Sequence, residues 1–395
     1  MFERDPADGP GTHAIVIGVG AYPNLVGGDG IVVPALAEGM GQLTSPPLSA
    51  VALADWLAAS HNDPAAPLAS VDLLVSAGDG PFVHVAADGT ETKVATPTHD
   101  EIVAALRAWK ERGQAHGDGV LMFFFCGHGV TRAFDTALLA RDYAADAEQP
   151  FAGAIWFEGM KQGMRSCAAK RQLYFVDACR VGSENLLRDF TAPLDPVFSA
   201  RGPYTAGQAQ ATYYATTSGQ PAYGIPGRPS VFTANLLMGL GGMGANDDRG
   251  DWRVDTTKLQ RALGELAGDF ASPEQFGLPP PVGGDQSLFE FHTLPGPPAV
   301  PFCMELAGAD DEESPPAPVE RVAVTCEGEQ VFEWPRPWAS AEGCRWEYGR
   351  FRSDQVAGMR YSWSVTMADG TSLASAPRTL NPPLRIVEFP RDAVA

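Results

Sequence analysis

Apolar positions along the first three quarters of the chain switch repeatedly between two periods. Short apolar runs flanked by glycine or polar residues occur at 13–22 (HAIVIGVGAY), 69–78 (ASVDLLVSAG), 119–129 (GVLMFFFCGHG) and 171–180 (RQLYFVDACR). Runs of this length predict strands buried on both faces. Between them, 46–61 (PPLSAVALADWLAASH) places Val51, Leu53, Ala54 and Leu57 along one helical stripe, with prolines in the first turn. Residues 81–96 predict a hairpin turning at Ala-Asp-Gly. Thr98 and Glu101 form a capping box ahead of the helical IVAALRAWKERG, and a short helix is expected over 154–166. A fifth strand follows at 211–219, helices at 230–240 and 256–270, and a last extended piece at 287–294. The alternation predicts an α/β domain with a mainly parallel sheet and helices on both faces.

Two segments break the pattern. Residues 181–210 are rich in Gly, Pro, Ser and Ala and read as a long loop, of a length that in compact domains is usually functional. Residues 295–318 carry prolines at both ends and an acidic run, and read as a linker. Beyond it, RVAVTC, QVFEW, RWEYGRF and MRYSWSVTM alternate with period two, so 319–395 is expected to be a small all-β, sandwich-like domain. The resulting organisation is a domain over 1–294, a linker over 295–318 and a β domain over 319–395.

Composition narrows the class. A net charge of −20 and a pI near 4.7 exclude the basic face that nucleic-acid binding needs. No apolar run approaches the 18 or so residues of a membrane span, and the first twenty residues lack the basic start and long apolar core of a signal peptide. The six cysteines show neither CxxC pairs nor metal-ligand spacing. A soluble cytoplasmic protein with reduced thiols is expected. GVGAYPNLVGG (18–28) superficially suggests a dinucleotide loop but lacks the G-x-G-x-x-G spacing.

The chemistry lies where two of the strands run out. In a parallel sheet flanked by helices, ligands bind beyond the carboxyl ends of the strands. The third run ends on Gly-His-Gly, delivering His128 to that edge. The fourth ends on Asp-Ala-Cys-Arg, delivering Cys179. A thiol becomes a competent nucleophile when an adjacent base takes its proton, and these two residues end consecutive central strands. Cys126 and Cys167 read instead as small buried hydrophobes. A Cys motif with a histidine about 50 residues upstream is a known peptidase spacing.

HAIVIGVGAY, LMFFFCGHG, LYFVDACR and PSVFTANLLMGL together resemble the caspase-like cysteine peptidases, closer to bacterial and plant metacaspase-type relatives than to animal caspases. The resemblance covers roughly 12–292. It implies Cys179 as nucleophile, His128 as general base and then acid, and the backbone N–H groups of Gly129 and Cys179 as the oxyanion hole, with no third orienting carboxylate. It divides the domain into a large-subunit-like part (1–180), an activation linker (181–210) and a small-subunit-like part (211–294). Asp177 is implied in the S1 pocket, pairing with Arg or Lys at P1. The second S1 acid of such relatives is replaced by Ser49, leaving Asp55 as a residue the pocket could borrow. Arg188 and Arg201 are candidate processing sites, for the enzyme itself or an upstream activating protease. Some relatives bind calcium; Asp142 falls near one such position, but Trp156-Phe157-Glu158 replaces an acidic pair, so no metal and no cofactor are expected. Expected partners are protein or peptide substrates, and bacterial relatives serve in antiviral or cell-death cascades. The rival readings are a catalytically silent scaffold or regulatory protein, and a hydrolase of a non-protein amide or thioester.

Overall fold

The computed structural model describes residues 2–3, 9–78, 80–86, 88–179, 194, 196–199, 203–216, 224, 226–269, 282–306, 319–338, 344–347 and 349–389. They divide into two compact units, Met1–Leu237 with Gly277–Thr293, and Met238–Phe276 with Leu294–Ala395.

The first unit is built on five parallel strands: β1 (Thr12–Val19), β2 (Leu68–Ser76), β3 (Val120–Gly127), then β7 (Arg171–Ala178) and β8 (Ala209–Tyr214), whose intervening labels belong to a small sheet described below. Their order across the sheet is β2-β1-β3-β7-β8. Antiparallel edges are added by Phe2–Glu3 beside β2 and by β9 (Val282–Gln286) beside β8. Side chains on both faces of β1, β3 and β7 are buried almost throughout, as the unbroken apolar runs require. Helix α1 (Ser45–Ser60) packs against β1, β2 and β3, and α2 (His99–Ala115) against β1 and β3. The side chain of Thr98 accepts the Glu101 N–H, the N-cap half of the expected capping box. The hairpin within 81–96 forms, with Val83–Val85 paired to Glu91–Lys93.

After His128 the chain does not run directly to a helix. It turns into a three-stranded antiparallel sheet of β4 (Gly129–Arg132), β5 (Asp135–Leu139) and β6 (Ala154–Trp156). The helix expected over 154–166 therefore begins three residues late, as α3 (Phe157–Met164), because Ala154–Trp156 pair with β5. Helix α4 (Val231–Met238) also stops short of its expected end. It passes into a π turn over Gly239–Met243, where Gly242 has φ 133°, a conformation that favours glycine. Residues 180–193 and 200–202, with Arg188 and Arg201, lie outside the described residues, as do 217–219 of the expected fifth strand.

The second unit contains α5 (Thr256–Asp269), which buries Leu259, Ala262, Leu263 and Leu266 at helical spacing. Its β portion corrects the linker reading. Ala299–Leu306 form strand β10, paired with β14 (Arg350–Val356) on one side and β18 (Arg385–Phe389) on the other. The flanking prolines concealed it. Pro301 precedes Phe302, where the pairing with β18 begins, so its missing N–H interrupts no doubly paired stretch. A second sheet is built from β11 (Val319–Cys326), β12 (Glu329–Pro335) and β15 (Arg360–Met367), with shorter strands at its edge. Phe302 of the first sheet lies 5.6 Å, centroid to centroid, from Trp363 of the second, and Trp334 lies 5.8 Å from Phe351. Such aromatic contacts join the two sheets face to face.

Candidate active site

Parallel pairing of β3 with β7 sets the site. The register matches Asp177 with Cys126 and Ala178 with Gly127. One residue further along, His128 and Cys179 leave the two strands side by side. Both line a cleft of about 360 Å³ with Gln42, Leu43, Thr44, Ser45, Pro46, Cys126, Gly127, Asp177, Gly224, Pro226 and Ser230. The structure thus brings together His128, Gly129, Asp177 and Cys179. Of the six cysteines, Cys179 is one of two that are only half-buried.

Two glycines around His128 explain the Gly-His-Gly sequence. A Cβ on Gly129 would stand 2.7 Å from the Cys179 carbonyl oxygen and 3.0 Å from the Ala178 Cβ. Only glycine lets β4 pass this close to the end of β7. A Cβ on Gly127 would stand 2.7 Å from the Tyr22 hydroxyl. The space it leaves admits that hydroxyl, which accepts the His128 N–H at 2.8 Å and donates to the Leu139 carbonyl at 3.3 Å. The Tyr22 ring lies 4.8 Å from the imidazole. Burial, above all, pushes the Tyr22 phenol far above its ordinary pKa, so it stays protonated and able to make both bonds.

The imidazole is fixed at its other end by a backbone carbonyl. His128 Nε2–H donates to the Gly41 oxygen at 2.8 Å, which leaves Nδ1 as the acceptor of the neutral ring. Gly41 is itself held in place through its neighbour. The Gln42 side chain accepts the Tyr22 N–H at 2.8 Å and donates to the Tyr22 carbonyl at 2.9 Å and the Val26 carbonyl at 3.1 Å. Burial pulls the His128 pKa below its ordinary value, against a smaller upward pull from the Gly41 bond. At neutral pH the ring is therefore uncharged and able to take a proton.

Gly129 also keeps its N–H out of the small sheet. The Leu139 N–H donates to the His128 carbonyl, which makes Gly129 and Leu138 a non-hydrogen-bonded pair of the β4–β5 ladder. In such a pair the N–H points away from the partner strand.

Asp177 is 4% exposed. Its Oδ2 accepts hydrogen bonds from the Ser230 hydroxyl and from Thr233 Oγ1, the latter at 2.8 Å. Ser230 opens α4: its Oγ accepts the Thr233 N–H at 3.0 Å, and its own N–H donates to Ser49 Oγ at 2.9 Å. Ser49 is thus a buried acceptor that braces the site from α1. Cys126 is more than filler. It stands level with Asp177 on the neighbouring strand and lines the cleft, and burial above all, together with that carboxylate, raises the thiol's pKa and keeps it protonated. Burial raises the Asp177 pKa, and its neutral neighbours Ser230, Thr233 and Cys126 counter it only in part.

Other expectations fall away from the cleft. Asp55 pairs with His84 at 2.8 Å and is not among the described lining residues, so the pocket does not borrow it. Asp142 accepts the His99 N–H at the head of α2, Trp156 donates to Asp135, and Glu158 accepts the Thr136 N–H. Among the described residues no group of three or more His, Cys, Asp and Glu is arranged to hold a metal ion. None of their helices is long and apolar enough to cross a membrane. Tyr22, Gly41, Gln42, Ser230 and Thr233 have no role in the sequence reading. Only the two glycines around His128, Gly127 and Gly129, signalled a close approach in the sequence.

Comparison with known proteins gives this geometry a family context. The model of the caspase domain, peptidase family C14, matches residues 12–271. An uncharacterized protein of Sinorhizobium fredii, y4kE, is 29% identical over 249 residues, 57% of this chain and 68% of that one. Among solved structures, caspase-1 from Spodoptera frugiperda aligns with a TM-score of 0.38 at 13% identity, covering 72% of this chain and 92% of that chain.

Proposed function

The chain belongs to the caspase family of cysteine peptidases, and we propose that it is an endopeptidase with a Cys179–His128 dyad that cleaves after basic residues. The observation that carries this reading is the shared cleft at the ends of β3 and β7, which holds a thiol, an imidazole and a buried carboxylate. His128 Nδ1 takes the Cys179 proton, and the thiolate attacks the scissile carbonyl carbon. The N–H groups of Gly129 and Cys179 stabilise the resulting oxyanion. His128 then gives its proton to the leaving amine, and water, deprotonated by the same ring, hydrolyses the thioester. The Gly41 carbonyl takes the orienting place of a third catalytic group. This chemistry calls on no cofactor.

The P1 reading rests on Asp177. Its described partners, Ser230, Thr233 and Cys126, are all neutral. A buried carboxylate without a cation is costly, and an arginine or lysine side chain entering the cleft would supply one. Control by cleavage in the 181–210 loop, at Arg188 or Arg201, completes the proposal. Blocking both with alanine and following fragments alongside turnover tests that part.

The decisive experiment for the dyad is hydrolysis of peptide amides by Cys179→Ala, His128→Ala and the double variant. Groups acting as one unit are non-additive, so the double variant is expected to be no slower than either single. Substantial turnover by Cys179→Ala refutes the mechanism. A wild type inert on peptides yet intact toward thiol alkylators returns the scaffold reading.

A further inference from the structure

The cleft's carboxylate is held in one orientation. Both hydroxyl donors converge on the same oxygen, Asp177 Oδ2. A carboxylate oxygen has two lone-pair sites, so Oδ2 is saturated. Neither donor is free to swing away. Thr233 is fully buried on α4, and Ser230 is tied by its Oγ to the Thr233 N–H and by its N–H to Ser49. The terminal torsion of an aspartate is otherwise soft and roughly two-fold. Here it is pinned, with Oδ2 turned to α4 and one oxygen left for a ligand. Where a second acid would complete a fork, Ser49 offers a hydroxyl that is already an acceptor for Ser230.

We propose that Ser230 and Thr233 are specificity-determining residues: by pinning Asp177 they make a pocket that meets a basic side chain end-on, through a single carboxylate oxygen. This deepens the reading of Asp177 as the P1 carboxylate and rests on it. Guanidinium gains its advantage over ammonium by bonding both carboxylate oxygens at once in a planar fork. An ammonium is a point charge that needs only one. A pocket presenting one oxygen withholds the fork and accepts lysine about as well as arginine. The Cys126 thiol does not alter this, because a thiol is a weak donor that an incoming cation displaces.

The test compares kcat/KM on two peptide amides that differ only in Arg or Lys at P1, for wild type, Thr233→Val, Ser230→Gly and the double variant. Glycine is tolerated at a helix N-cap, and valine keeps the shape of threonine, so the four proteins bracket the folding risk. Wild type is expected to favour Arg over Lys by less than about tenfold. Releasing the carboxylate in the double variant restores the second charged hydrogen bond and raises the ratio by roughly tenfold or more. Thr233→Ser, which returns the hydroxyl, is expected to keep the wild-type ratio. A wild-type preference for Arg beyond about 100-fold overturns the inference and leaves the basic-P1 reading standing, as does a ratio unmoved in all folded variants. Absence of cleavage after either residue overturns the basic-P1 reading itself, and this inference with it.

Discussion

Replacing Asp177 with asparagine removes one charge and little else. The variant's side-chain oxygen can take the place of Oδ2 and accept the Ser230 and Thr233 hydroxyls, so the pinning at α4 survives. Its amide nitrogen then faces the cleft, presenting a donor where wild type presents an acceptor. A hydrogen bond to a charged group contributes about 1.5–3 kcal/mol, and stranding a desolvated cation beside a like dipole moves the loss to the upper end. About 3 kcal/mol corresponds to a loss of roughly 150-fold in kcat/KM on substrates with Arg or Lys at P1. The thiol's chemistry is untouched, so iodoacetamide should modify Cys179 at the wild-type rate.

Stability moves the other way. Burial raises the folded-state pKa of Asp177 above its ordinary value, so the folded protein binds that proton more tightly than the unfolded chain does. Ionisation above the raised pKa therefore opposes folding. The asparagine variant escapes that cost. Its Tm is expected to equal or exceed wild type at pH 7, with the gap closing as pH falls through the raised pKa. Initial rates on basic and neutral P1 peptides, alkylation rates and melting curves at several pH values separate the cases. Equal losses on basic and neutral substrates, or a slowed alkylation, would show that Asp177 shapes the site rather than reading the substrate.

Three further expectations follow from the neighbouring geometry. Tyr22→Phe leaves the buried His128 N–H without its acceptor, an unmade bond of about 1–3 kcal/mol; kcat is expected to fall at least several-fold with KM unchanged in steady-state assays, and an equal rise in KM would deny Tyr22 a positioning role. Because burial holds the His128 pKa below 6.5, kcat/KM should lose activity on acidification with a midpoint below that value. A histidine-dependent limb above pH 6.5 would contradict the buried, neutral imidazole. His61 and His292 stack at 5.7 Å with both pKa values lowered to about 4 by burial; the unfolded chain binds those protons first, so stability is full above about pH 6.5 and declines toward pH 4, as urea melts across that window would show.

Much of this site was legible because its reactive residues end apolar strands. GVLMFFFC and LYFVDA read as buried strands by their length and aromatic content, and parallel neighbours of matched register put whatever follows them on the same edge. The side-by-side placement of His128 and Cys179 was therefore readable without coordinates. The linker reading failed for the complementary reason. Pro297 and Pro298 precede Ala299–Leu306 and Pro301 lies within it, and this punctuation outweighed the apolar content of a strand whose partners, β14 and β18, lie far along the chain. Asp55 was a poor candidate because helical spacing alone cannot say that His84, on a separate ribbon, would take its carboxylate.

What stayed hidden is the polar frame that holds the His128 imidazole, and most of it is backbone. The Gly41 carbonyl has no signature, since every residue carries one, and only the folded path of the segment between β1 and α1 sets it against Nε2. Gln42 fixes that path through the main chain of Tyr22, and Tyr22 in turn holds the main chain of His128. With Gly41 these residues form one closed circuit of four: Gln42 to Tyr22, Tyr22 to His128, His128 to Gly41, and Gly41 to Gln42 through the peptide bond. A perturbation at Tyr22 or Gly41 reaches the imidazole although neither is among the described residues that line the cleft. That circuit gives Gly127 its reason. A side chain there would displace the Tyr22 hydroxyl, break the circuit, and leave the imidazole free to turn.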